Sequence, residues 1–193
     1  MIISSDAHLV KLTSEGEVSW VKELYTKDPG NIFKAKDCCV ISGIWEGVVS
    51  DTERIYPEMS GYAQNGNYLW SYIVSDTTKY PKGVRAFQTK DNEYVLAGHG
   101  SSGYFIAKTD PSRNLIWKNF FEMAASNLHY CKPTRDGGYI LVGSANIYGA
   151  AAIKLNSVGE VQWQDDFNVT AIRLNPPSFR RAAFSQQYVY FEA

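Results

Sequence analysis

Three cysteines are too few, and odd in number, to staple a chain of 193 residues into a disulfide framework. Cys38 and Cys39 are neighbours, so in a strand they point to opposite faces, and Cys131 lies in a different part of the chain. Three scattered histidines (His8, His99 and His129), with no CxxC pair, resemble no zinc site. Charge of either sign in excess is also missing: 19 basic residues stand against 20 acidic ones, a net charge of -1. Without a basic field the chain has no grip on nucleic acid or an anionic membrane, and neither is expected as a partner. No apolar run approaches the roughly 18–20 residues that a membrane span needs. The opening MIISSDAHLVKL lacks a basic n-region and an apolar h-region, with Asp6 where the apolar segment would stand. It does not read as a signal peptide, and free thiols without an export signal predict a cytoplasmic protein.

What the chain does have is aromatic residues and a repeat. Its 13 Tyr, 9 Phe and 5 Trp make up 14% of the residues, a bias that suits strands. The length fits one domain, which buries about 70% of its unfolded surface. KLTSEGEVSW at 11–20 is nearly restated as KLNSVGEVQW at 154–163, and more loosely as GYAQNGNYLW and KTDPSRNLIW. The four tryptophans that close these phrases (Trp20, Trp70, Trp117 and Trp163) stand 50, 47 and 46 residues apart. A period in this range marks an array of similar units.

A second phrase precedes two of these tryptophans. DNEYVLAG (91–98) and DGGYILVG (136–143) share Asp, Tyr and Gly at the same offsets, and KDCCVISG (36–43) fits the frame with Lys36 in the Asp position. Between the phrases lie YFIAKTD, AAIKLN and, near the N-terminus, AHLVKLT. With a leading run such as GVRAFQT or LHYCKPT, each unit reads as four short strands bounded by turn residues. No segment keeps a 3.6-residue apolar period over a helix-sized window. Four-stranded antiparallel units at this spacing predict an all-β chain, a small β-propeller of four blades.

The pattern DGGYILVG, then AAIKL, a glycine-bearing turn and Trp resembles the quinoprotein-like (PQQ/WD40-like) β-propeller repeat family. The resemblance covers residues 31–167 well and both termini partially. Two departures stand out: the longer insertion WEGVVSDTERIYPE at 45–58, and Arg113 in place of the turn glycine. In that family a pyrroloquinoline quinone lies over a much larger ring beside a bound calcium. This chain shows no carboxylate set assignable to that metal, so no cofactor, metal or catalytic residue is expected.

The tryptophans are expected to dock each blade on its neighbour, since indole brings a broad apolar face and one N–H. The blades are expected at about 26–77, 78–121 and 122–167. The termini, 1–25 and 168–193, are expected to share a fourth blade. Residues 1–25 would supply its third and fourth strands and 178–192 its first two, closing the ring as a monomer and leaving no sheet edge. The rival reading is a fragment or open half-ring completed by a second copy or a missing portion.

GHGSSG at 98–103 satisfies G-x-G-x-x-G, but YFIAKTD is too short for the helix a nucleotide site needs before Pro111, so a hairpin is expected. Asp165, Asp166 and Glu160 read as a solvated rim, and the sequon at Asn168 matters only to a secreted eukaryotic chain. No nucleophile, base or metal ligands converge, so the expected function is a non-catalytic scaffold engaging a protein partner through its blade loops. The alternative is a glycan-binding propeller. Trp45, Tyr56, His99, Ser101, Tyr104 and Tyr148 are the candidate ligand or partner residues, with Trp45, Tyr56, Tyr104 and Tyr148 as stacking faces for sugar.

Overall fold

Each of the third-to-fourth-strand turns in this all-β chain is built in the same way. The computed structural model describes residues 2–5, 8–49, 51–75, 81–123, 125–145, 149–168, 182–185 and 188–191, and every assigned element among them is a strand. The amides of Thr13, Ala63, Asp110 and Asn156 donate to the carbonyls of Glu17, Asn67, Asn114 and Glu160 at 2.8–2.9 Å. In each turn one residue is left-handed: Gly16, Gly66 and Gly159 at φ 89°, 82° and 85°, and Arg113 at 73°. A register shift beside each turn marks a bulge, the usual companion of a left-handed residue in such a hairpin. The arginine therefore did not change the turn; it took on glycine's conformation.

The strands form antiparallel sheets in chain order. The first contains β1 (Ile2–Ser5), β2 (His8–Leu12) and β3 (Val18–Glu23). The second contains β4 (Ile32–Lys34), β5 (Cys39–Val49), β6 (Thr52–Tyr62) and β7 (Tyr68–Ile73). The third contains β8 (Lys82–Gln88), β9 (Tyr94–Gly100), β10 (Gly103–Thr109) and β11 (Leu115–Glu122). The fourth contains β12 (Ala125–Pro133), β13 (Tyr139–Ala145), β14 (Gly149–Leu155) and β15 (Val161–Asn168). A separate hairpin joins β16 (Ala182–Ser185) to β17 (Tyr188–Phe191).

Period-two alternation divides each middle strand between two cores. Tyr94 and Leu96 of β9, with Phe105 and Ala107 of β10, face the second sheet. Val95, Ala97, Tyr104 and Ile106, the residues between them, face the fourth. Likewise Val40 packs toward the third sheet and Ile41 toward the first, where Leu9, Leu24 and Tyr62 meet it. Burial on both faces is why these strands read as unbroken apolar runs. Fully burying one such side chain stabilises by about 1.5–3 kcal/mol.

Ion pairs tie the shared phrases together. Lys154 on β14 reaches Asp136 at 2.7 Å, and Lys108 on β10 reaches Glu93 at the same distance. Asp136 also accepts from the Thr134 hydroxyl and the Gly138 amide, so its carboxyl lies well below the usual carboxylate range.

The termini depart from expectation. β1 pairs with β2 in the place that β9 holds beside β10, so the first 23 residues supply three strands of their sheet, not two. Among the described residues, the counterpart of the first strands β4, β8 and β12 of the other sheets is missing there. β16 and β17 pair with each other, and among the described strands no ladder joins them to β1–β3. The described strands do not close the ring. Among the described strands, the expected pairing of 178–192 with β2 is replaced by pairing between strands adjacent in the chain, β1 with β2 and β16 with β17, which closes shorter loops than a contact between the termini.

Candidate binding surface

The 45–58 insertion, expected as a loop, continues two strands. β5 and β6 pair without a break from Cys39↔Tyr62 out to Val49↔Thr52. Flanking strands accompany only the base: β4 pairs with β5 at Cys39–Ile41, and β7 with β6 at Glu58–Tyr62. Lys27 bridges Ile44, and the Val74 amide donates to the Pro57 carbonyl at 2.9 Å. Beyond these, no third strand among the described residues lies beside the hairpin. Asp51 turns it with φ 59°, a conformation Asp tolerates better than most residues.

One face of the projecting hairpin carries Trp45 opposite Tyr56, their rings stacked with centroids 6.0 Å apart and 18° between planes. The indole also lies against Gly47, where a Cβ would overlap it. Ile55, on the other face, packs against the core between the second and third sheets. The outer residues are apolar and open to solvent: Val48 is 68% exposed and Val49 44%.

At the base of this hairpin sits Glu58, only 3% exposed. Ser60 donates to one of its carboxyl oxygens at 2.7 Å and Thr26 to the other at 3.3 Å, while the two hydroxyls lie 3.2 Å apart. Each hydroxyl has one proton. With Glu58 ionised, both protons point at the carboxylate and the Thr26–Ser60 contact has none. With Glu58 protonated, a cycle can close from carboxyl to Thr26 to Ser60 and back, with every contact holding a proton. Burial pushes the Glu58 carboxyl above its ordinary range, against the pull of the Ser60, Thr26 and Ser71 hydroxyls.

A concave feature runs along β4, β8 and β12. It is an open depression of about 820 Å³, whose lining includes Phe33, Arg85, Phe87, His129 and Lys132 and no acidic side chain. Asn31, at its edge, holds the second and third sheets together. Its side chain accepts from the Ala86 amide at 2.8 Å and donates to the Ala86 carbonyl at 2.9 Å.

The sequence candidates scatter over this molecule. Trp20 lies against the Gly66 turn. Trp70 meets Tyr94 edge-on at 5.5 Å and lies under the Arg113 guanidinium. Trp117 meets Tyr139 at 5.7 Å and covers the Gly159 turn. Trp163 is 43% exposed. Of the loop candidates, Trp45 and Tyr56 come together on the hairpin and the others do not join them. Ser101 is exposed in the two-residue turn between β9 and β10, so GHGSSG is a hairpin.

His99 is buried against Gly83, and its Nδ1 accepts from the Leu128 amide at 3.1 Å; burial first, then Lys82, His129 and Arg85, lower its pKa. It bridges the third and fourth sheets. Tyr104 is fully buried, its hydroxyl donating toward the Asn127 and Ser144 carbonyls at 3.1 and 3.3 Å. It has no face for a sugar, because the next sheet covers it. Tyr148 lies outside the described residues. Sequence reasoning missed Glu58 and Asn31. Glu58 left one signal: it alternates with Pro57 and Met59 in a run whose other charged residues, Glu53 and Arg54, lie nearer the turn.

No family model matches this chain, and no curated protein matches it. Among solved structures, a protein of unknown function from Bacteroides caccae is similar at 10% sequence identity with a TM-score of 0.41. The alignment covers 86% of this chain and 77% of that one.

Proposed function

We propose that this chain is a non-catalytic binding scaffold of the quinoprotein-like propeller type, whose β5–β6 hairpin engages a protein partner. On this reading its four sheets are blades, and β4, β8 and β12 line the axis. The observation that carries it is the hairpin itself: a continuously paired limb running beyond its flanking strands, with the Trp45–Tyr56 stack on one side and exposed Val48 and Val49 near its end. Apolar groups held out on an ordered element are what a protein interface uses as anchors. A sugar-binding reading is less well supported, since Trp45 and Tyr56 cover each other and Tyr104 is buried. Alanine scanning of 44–58 and 99–104 against a partner captured from native extract tests the proposal. It expects losses concentrated at Trp45, Val48 and Val49, and purified chain turning over a substrate without any partner would remove it.

A further inference from the structure

Three junctions between successive sheets follow one rule, in which a tryptophan on the last strand of one sheet lies on the third-to-fourth-strand turn of the next. Trp20 comes within 2.9 Å of where a Cβ on Gly66 would stand. Trp70 holds the Arg113 guanidinium 4.8 Å from its ring centre. Trp117 comes within 2.8 Å of the corresponding point on Gly159, and Asn119, two residues on, donates to the Gly159 carbonyl at 2.6 Å. The residues at these junctions leave no room for a side chain on either turn glycine.

One knob and one seat are left over. Trp163 on β15 is 43% exposed, while Trp20, Trp70 and Trp117 are half-buried. The Gly16 turn has the same hydrogen bond and left-handed φ as the other turns, yet nothing among the described residues lies within 4 Å of its Cβ position. The two unmatched halves sit at opposite ends of the series of sheets, one on the fourth sheet and one on the first.

We propose that Trp163 of one copy of this chain docks on the Gly16 turn of a second copy, making between molecules the junction made three times within each. Each contact joins a giving surface to a different receiving one, and two such contacts about a two-fold axis make the dimer isologous, Trp163 of each copy meeting the Gly16 turn of the other. Two copies joined at both ends leave neither half uncovered, closing a ring of two sheet series. A second copy is the occupant because this chain itself carries the complement of each half, and among the described residues of one molecule nothing covers the Gly16 position while Trp163 stays 43% exposed. The inference rests on junction geometry and not on the binding role of the β5–β6 hairpin.

Charge sets the strength. Asp165 holds the place that Asn119 holds in the third junction, and the receiving turn carries Glu15 and Glu17. Carboxylates therefore approach where the internal junction has a donor, so screening by salt tightens the association.

Sedimentation velocity of the full chain across the micromolar range, at low and high salt, tests this. A dimer is expected, weakened at least about tenfold by Trp163→Ala and by Gly16→Asn, and strengthened by Asp165→Asn or by added salt. Asn tolerates the left-handed turn, so Gly16→Asn blocks the seat without removing core contacts and keeps the test open if Trp163→Ala fails to fold. A wild-type chain that stays monomeric overturns the proposal, as does a dimer indifferent to both variants. Hydroxyl-radical labelling that finds Trp163 protected at monomeric concentrations also overturns it, because the indole is then covered within its own chain.

Discussion

Arg113 keeps a left-handed backbone, φ 73°, while its guanidinium lies 4.8 Å over the ring of Trp70 on the preceding sheet. Two opposed terms meet in one residue. A non-glycine residue in this conformation costs about 1–2 kcal/mol, and a cation over an indole returns about 0.5–1 kcal/mol at an exposed site. Where the Gly66 and Gly159 turns set glycine against the tryptophan, this one uses strain and a cation.

That balance is measurable. Arg113→Ala keeps the strain and loses the cation, and is expected to destabilise by about 0.5–1 kcal/mol. Arg113→Gly loses both, and is expected to be more stable than Arg113→Ala by about 1 kcal/mol. Urea denaturation of the three proteins checks the order, and an alanine variant as stable as the glycine variant would mean the backbone is not strained.

Glu58 ties stability to pH in the direction opposite to an ordinary surface carboxylate. Its folded pKa is raised above the usual 4.5, so the stability that its protonated form supplies is complete below that value and is lost as pH rises through the folded pKa. Asp136, Asp110 and Glu15 are lowered and act with the other sign, losing stability as pH falls. Comparison with Glu58→Gln isolates the buried group. The melting temperature of the variant is expected to exceed that of wild type at about pH 8, with the gap narrowing toward about pH 5. A gap that does not change with pH would show Glu58 charged throughout.

Much of the strand plan is visible in the sequence because its causes are local. Turn residues sit at fixed offsets, and runs such as DGGYILVG alternate between two buried faces, so β8–β11 and β12–β15 could be placed before any coordinates. What could not be seen depends on neighbours distant in the chain. Gly143 is needed because the Tyr104 hydroxyl and the Asn127 carbonyl fill its Cβ position, a fact written in no stretch around residue 143. Asn31 pairs with Ala86 as a strand would, across 55 residues. The 45–58 hairpin was legible in part: Trp, Gly and Val alternate with Glu and Val in WEGVV, and Asp51 supplies a turn residue, but glutamates at Glu46 and Glu53 give it the polarity of a loop. Tyr104 looked like a loop aromatic because its position beside the glycine-rich turn does not reveal the sheet that covers it.

The three thiols provide a check on packing between sheets. Cys38, Cys39 and Cys131 are free and buried, and burial raises the pKa of each, Cys39 to about 11. Because the thiolate is the reactive form, none is expected to react readily with Ellman's reagent in the folded protein, and Cys131 is expected to be slowest. All should titrate together once the chain is unfolded. Rapid reaction at Cys131 in native buffer would mean that the core between the third and fourth sheets opens easily.

Replacing residues 45–56 with an Asn-Gly turn between Ile44 and Pro57 tests the binding role most directly. The deletion keeps every flanking strand pair of the second sheet and removes the projecting limb with Trp45, Tyr56, Val48 and Val49. Partner affinity of the shortened chain is measured by biolayer interferometry beside its melting temperature. The expected result is a chain that still folds, melting lower by what the loss of Ile55 from the core costs, and binds the captured partner at least about a hundredfold more weakly, a loss of roughly 3 kcal/mol. A shortened chain that folds and binds the partner as wild type does would contradict the account.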